Sequence, residues 1–148
     1  MPTIAIPFET TRHVREHCLC LAAQSAARAL ARLFDDALRP LGLSSGQFSL
    51  LMSLNSPDPP TLGALSSVLA MDRTTLTANL KPLERRGLVT AAVDVDDRRV
   101  RRLSLTRSGR AILRAALPIW KRTHRQLETR LGQPTGADAL RAGLRTLV

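Results

Sequence analysis

Residues 61–105, TLGALSSVLAMDRTTLTANLKPLERRGLVTAAVDVDDRRVRRLSL, decide the fold. Thr61 stands where a cap belongs, before a short helix carrying Leu62, Leu65 and Leu69 at the three-and-four spacing of one helical face. Ala70-Met71 reads as a tight joint. Asp72 caps a second helix, which runs to about Arg86 and is closed by Gly87. Two short helices so joined form a helix-turn-helix pattern, one that many all-helical domains share. The next eighteen or so residues give it weight. Residues 88–93 read as a strand, 94–99 as a charged turn, and 100–105 as a return strand whose apolar residues are Val100, Leu103 and Leu105. A β-hairpin therefore stands directly behind the second helix.

Working outward, residues 11–38 predict one long helix with Leu19, Ala23, Ala26, Leu30, Leu33 and Ala37 in a stripe, stopped by Pro40 and Gly42. Ser44 and Gln47 are spaced as a capping box opening a short helix with Phe48, Leu51 and Leu54 inward. Residues 55–60 are a loop by their turn residues. After the hairpin, Thr106-Arg107-Ser108-Gly109 opens a helix to about Leu131, ended by Gly132 and Pro134, and a last amphipathic helix uses Leu140, Leu144 and Leu147. The expected fold is mainly α with a small β-hairpin wing, a winged helix-turn-helix within a single domain over 1–148.

Composition narrows the partner. Hydrophobic residues make up 44% of 148, enough for a real core. No apolar run approaches the roughly 18 residues that span a bilayer, and the first residues lack a basic start with a long apolar stretch; the expectation is a cytoplasmic protein with no membrane partner. The net charge is +10, and Lys81 and Lys121 are the only lysines. An arginine-dominated basic chain suits phosphate and guanine, whose paired acceptors match the guanidinium fork. Aromatics are 3% and tyrosine is absent, which disfavours recognition of single strands by stacking and leaves duplex DNA. There is no glycine-rich phosphate loop, nucleophile elbow or credible carboxylate pair, so neither an enzyme nor a cofactor is expected.

The second helix of the motif offers a reading face. Leu76, Leu80 and Leu83 share the inner side; Thr74, Ala78, Lys81 and Arg85 lie opposite, with Thr77 on the flank and Arg73 in the first turn. Arg and Lys reach guanine O6 and N7, and threonine methyls reach the thymine methyl. The plain alternative is a solvated amphipathic face. Pro82 removes a backbone donor and crowds the carbonyl of Ala78, so a bend is expected there. In the hairpin, Asp94, Asp96 and Asp97 alternate with Arg98, Arg99, Arg101 and Arg102. Asp97 is spaced to hold an arginine across the turn, and an arginine at the tip suits a narrow minor groove. A charged turn that only keeps the chain soluble is the competing view.

These residues resemble the MarR family of regulators, the multiple-antibiotic-resistance type. The resemblance covers almost the whole chain and rests on PLGLSSGQFSLLMSL (40–54), LSSVLAMDRTTLTANLKPLERRGLV (65–89) and DVDDRRVRRLSLTRSGR (94–110), with the Asp-x-Arg wing signature at Asp97 and Arg99. It implies a repressor that is an obligate homodimer. The helices at 11–38, 106–131 and 137–148 would interlock as dimerisation elements (11–38 with 106–148), and 44–105 would bind DNA. Two recognition helices would enter successive major grooves of a pseudo-palindrome about one helical turn apart. The sequence departs from the family at Ala78 and Pro82, where arginines are common.

Three signals compete. HCLCLAAQSAAR (17–28) looks like the organic-hydroperoxide-sensing branch, with Cys20 at the matching position and Cys18 beside it, although those sensors hold the cysteine with tyrosines. A reactive thiolate wants an electropositive, partly exposed site; the ordinary fate is a buried small hydrophobe. His13, His17 and Cys20 fall at i, i+4 and i+7, a strip that could take a soft metal or metalloid ion. Cys18 would sit about 200° from Cys20 in a regular helix, which excludes a disulfide between them there. The resemblance also implies a small-molecule effector, for which His17, Phe48, Leu51, Trp120 and His124 are the candidate lining. A non-specific architectural DNA binder is the remaining rival.

Overall fold

The computed structural model describes residues 5–132 and 135–148. In chain order it comprises α1 (Phe8–His17), α2 (Leu19–Leu38), a single 3-10 turn (Arg39–Leu41), α3 (Ser45–Ser53), α4 (Leu62–Leu69), α5 (Arg73–Arg85), β1 (Val89–Val93), β2 (Arg101–Leu105), α6 (Arg107–Arg130) and α7 (Thr135–Arg145). The strands form one antiparallel pair with Val89 opposite Leu105 and Val93 opposite Arg101. This is the winged helix-turn-helix that the pattern of residues predicts. Pro134 lies outside the described residues.

Local chemistry sets the element starts. Ser44 and Gln47 close a full capping box at α3. Thr61 accepts the Ala64 N–H at 3.1 Å, Asp72 the Thr75 N–H at 2.8 Å, and Thr106 the Gly109 N–H at 3.0 Å. Each bond satisfies one of the orphan donors of a helix N-terminus. The joint between α4 and α5 turns on Ala70, a non-glycine residue at φ 49°, whose N–H reaches the carbonyls of Ser66 and Ser67.

The core is built around α3. Leu50 and Leu51 are fully buried against Leu38, Leu65, Leu76 and Leu83, with Leu103, Leu105, Leu113 and Ala116 closing it from the hairpin and α6. Two polar ties fix α3 to its neighbours. Asp35 accepts the Ser45 N–H at 2.6 Å, and the Arg86 guanidinium donates to the carbonyls of Gly42 (2.6 Å) and Leu41 (3.0 Å). The end of α5 is thereby held on the turn that precedes α3.

The long helix expected over 11–38 is two helices. The chain starts α1 at Phe8 and breaks at Cys18, where φ −74° and ψ 108° are extended values. Cys18 Sγ accepts the Leu21 N–H at 3.4 Å, so the sulfur caps α2. The His17 ring turns back to the His13 carbonyl at 2.9 Å. No buried residue of α1 opposes the break, and a helix without packing follows its local bonds. Pro82 behaves in the opposite way: α5 continues through it. Leu80 and Leu83, both in the core, hold the backbone on either side of the proline.

Gly109 marks a close approach between α6 and the start of the hairpin. A Cβ at this position would stand 2.0 Å from the Leu88 carbonyl oxygen, so only glycine lets α6 start against β1. Gly109→Ala is expected to lower unfolding stability by about 1–3 kcal/mol, as overpacking does. Gly63→Ala, whose Cβ meets nothing nearer than 4.0 Å, is expected to be neutral or to stabilise by up to about 1 kcal/mol. Urea melts of the two variants check this; equal midpoints would remove the close contact from the argument.

Candidate nucleic-acid interface

α5 has an inner and an outer side. Leu76, Leu80 and Leu83 are buried, which turns the remaining residues outward. Arg73, Thr74, Thr77, Ala78 and Lys81 together line one shallow surface depression of about 420 Å³. These are five of the six residues that the helical wheel assigns to reading DNA. Arg85 is exposed in the last turn, outside that lining. Small residues at the centre of the face and cations at its ends leave room for base edges to approach. At the N-terminus Asp72 receives both the N–H and the hydroxyl of Thr75, each at 2.8 Å, and these bonds hold its carboxyl below the usual range. Asn79 donates to the Thr75 carbonyl at 3.0 Å and lies against Gly46 of α3, so α5 is seated closely on the helix behind it.

The hairpin differs from expectation in which carboxylate clamps which arginine. Asp97 accepts the Arg99 backbone N–H at 2.9 Å, so it shapes the turn and holds no guanidinium. The clamp is Asp94, 7% exposed and ion-paired with Arg102. Its other oxygen accepts the N–H groups of Asp96 (2.8 Å) and Asp97 (3.0 Å). Arg102 reaches further, donating to the Pro59 carbonyl at 2.9 Å, while the Leu103 N–H bonds the Pro60 carbonyl at 2.9 Å. The wing is thus fastened to the loop before α4. Sequence spacing missed Asp94 and Arg102 as a pair because the strand register, with Ala92 opposite Arg102, brings them together across the hairpin. Arg98, Arg99 and Arg101 remain exposed and make no side-chain ion pair among the described residues. The result is a wing of fixed backbone carrying three exposed cations that follows α5 in the chain.

The candidate sensor residues do not form one site. Cys20 is exposed and accepts a bond from the Gln24 side chain at 3.3 Å; Cys18 is half-buried at the break. The regular helical geometry that would separate the two thiols does not hold, since α2 begins between them. His13 and His17 stack at 4.2 Å, but the same break removes the strip they would form with Cys20, and no group of three possible metal ligands gathers among the described residues. Phe48 and Leu51 are core residues, and Trp120 fills the space between Phe48 (6.2 Å) and His124 (4.7 Å) as a stacked ring column. His17 is exposed, away from them. The large opening lies elsewhere. A trough of about 580 Å³ runs between α2, α6 and α7, walled by Leu30, Leu33, Leu127, Leu140 and Leu144, with His124, Glu128, Arg130 and Arg141 as its polar lining. Of the expected effector set only His124 reaches it.

A family model described as the MarR family matches residues 43–100. The chain is 35% identical to the transcriptional regulator MosR of M. tuberculosis, solved in complex with DNA, over 86% of this chain and 93% of that one, with a TM-score of 0.76. It is 29% identical to a transcriptional repressor, CouR, solved on a 23-mer DNA duplex, over 90% and 94% of the two chains at a TM-score of 0.80. Over 104 residues it is 28% identical to the organic hydroperoxide resistance transcriptional regulator of Bacillus subtilis (strain 168), covering 70% of this chain and 71% of that one.

The Asp94 clamp carries a pH signature. The Arg102 hydrogen bond, then the two turn N–H groups, hold the Asp94 carboxyl below its unfolded value of 3.8, against partial desolvation. Its contribution to wing order is therefore complete above that value and is lost as pH falls through the lower folded one. Amide exchange over 94–102, corrected for intrinsic rates, is expected to rise steeply in acid. In Asp94→Asn it should be fast already at neutral pH and vary little in acid. Identical profiles in the two proteins would show that the clamp does not order the wing.

Proposed function

The chain belongs to the MarR family of DNA-binding transcription regulators, and on that footing we propose that it is a homodimeric, sequence-specific repressor, acting in the cytoplasm and released from its operator by an oxidant. The observation that carries the DNA reading is the outward face of α5, where Arg73, Thr74, Thr77, Ala78 and Lys81 converge with nothing covering them among the described residues. Beside it the anchored wing presents Arg98, Arg99 and Arg101. In this reading α5 lies in a major groove and Arg99 enters the adjoining minor groove.

A second copy of the chain accounts for the uncovered apolar faces. Leu19 is 76% exposed, and Leu30, Leu140 and Leu144 between 41% and 47%. Contiguous apolar surface of this kind belongs to interfaces. A symmetric pair would cover the trough and place two α5 helices on a pseudo-palindromic duplex. The oxidant reading rests on the exposed Cys20 and on Cys18, which stands at the junction of α1 and α2, among Arg12, Arg15, His13 and His17 in sequence. The name of the Bacillus subtilis relative supports a hydroperoxide as the signal.

Fluorescence anisotropy on the DNA upstream of its own gene tests the reading, with reduced protein, peroxide-treated protein and Cys20→Ser. Tight, specific binding that peroxide abolishes in the native protein and spares in Cys20→Ser is the expected result. Specific binding indifferent to peroxide would leave the repressor and remove the thiol; binding without sequence preference would favour an architectural role. Arg99→Ala is expected to weaken operator binding by about 1–3 kcal/mol, the worth of a good groove contact. Thr77→Ala should alter sequence preference more than total affinity; a uniform shift across all sequences would remove Thr77 from base reading.

A further inference from the structure

α6 divides its circumference into two unlike halves. One side packs inward through Gly109, Leu113, Ala116 and Thr123, with Ile112, Ile119 and Trp120 alongside. The opposite side carries Arg107, Arg110, Arg114, Lys121, Arg122 and Arg125, all exposed. Steps of three, four, seven and four keep five of them in one line. At 1.5 Å per residue that line is about 27 Å long. No Asp or Glu occurs in α6 before Glu128, which is engaged with His124 (3.4 Å) and Arg141 (3.6 Å). Arg110 donates to the Leu105 carbonyl at 2.9 Å, and none of the six is ion-paired among the described residues.

Like charges three and four residues apart on a helix repel. An ordinary solvent-facing helix interleaves both signs, so a face of six uncompensated cations calls for a polyanion. The same face of a second copy cannot supply it, because like would meet like. A bilayer surface is disfavoured because Ala111, Ala115 and Pro118 are the apolar residues interspersed on this side, with no large side chain to insert. Continuity favours DNA. Only Thr106 separates β2 from α6, so Arg107 and Arg110 stand at the base of the same hairpin that carries the exposed arginines towards its tip.

We propose that the basic face of α6 is a second, sequence-independent duplex-DNA surface, holding phosphates beyond the stretch read by α5 and the wing. The proposal rests on the assignment of α5 and the wing as the DNA-reading surface. It is tested with two duplexes, an operator trimmed to its footprint and the same operator extended by about one helical turn, roughly 10 bp, of arbitrary sequence at each end. Native protein is expected to bind the longer duplex about tenfold more tightly at low salt. Its slope of log affinity against log salt should be steeper by about 2–3, as for three more neutralised phosphates. In the triple variant Arg114→Ser, Lys121→Ser, Arg125→Ser, trimmed and extended duplexes should bind alike, at the affinity of native protein for the trimmed one. Arg114→Lys with Arg125→Lys should keep the length effect, since phosphate contact needs charge and not the guanidinium shape. Native protein that binds the trimmed operator but gains nothing from length overturns the proposal and leaves the repressor reading standing. Equal loss on both duplexes in the triple variant also overturns it. So does loss of sedimentation with phosphatidylglycerol vesicles in that variant without any length effect, which reassigns the face to membranes. No binding of native protein to either duplex strikes the DNA reading itself.

Discussion

At Leu88 the main chain of the hairpin meets both of its neighbours at once. The Leu88 carbonyl accepts the Thr106 N–H at 3.1 Å, the Thr106 hydroxyl donates to the Gly87 carbonyl at 2.6 Å, and Gly109 lies so close that no side chain fits. Gly87, at φ +68°, supplies the left-handed step that ends α5 and launches β1. The exit of the reading helix, both ends of the wing and the start of α6 therefore share one knot of backbone. The tilt of the wing relative to α5 is set there, because a hairpin anchored at its base can move only at its tip. The tip is held in turn through Asp94, Arg102 and the Pro59 carbonyl. A surface that must match two grooves of a duplex together needs both restraints.

Features of this chain are legible in its sequence to the extent that their causes are local. Thr61, Asp72, Thr106 and the Ser44–Gln47 box announce their helices because a cap acts within three residues. The leucines at 76, 80 and 83 announce the inner side of α5 because periodicity alone decides it. For the same reason the outer residues of α5 can be named from the sequence. The wing clamp is not legible in this way. Several aspartates and arginines alternate there, and only the strand register selects Asp94 and Arg102. The break at Cys18 carries no proline or glycine, and it arises from the absence of packing on α1, which no local signal records. Phe48 and Leu51 show a limit of another kind: an apolar residue at helical spacing serves a core or a cavity equally well, and here the core took both.

The distribution of burial along the chain bears on how a signal could reach the DNA. The continuous core is supplied by residues from Leu38 to Ala116, and α1 adds nothing to it. The winged part can thus hold its shape from its own contacts, whereas α1, α2 and α7 leave apolar surface without cover. Those helices are less restrained by the core than α5 is. A chemical event at Cys18 or Cys20 would act on the part of the chain least restrained by the core, where a small free-energy change can shift an equilibrium between two arrangements.

α6 links the two regions. It begins at the knot around Leu88 and continues to Arg130, where it walls the trough with α2 and α7. Internal hydrogen bonds run along the helix between the two regions. Pro118 interrupts them on the solvent side, removing the donor that the Arg114 carbonyl would otherwise receive. The inward residues around it, Ala116, Ile119 and Trp120, stay packed against the core or its edge. The helix therefore joins the trough to the base of the wing in one continuous element.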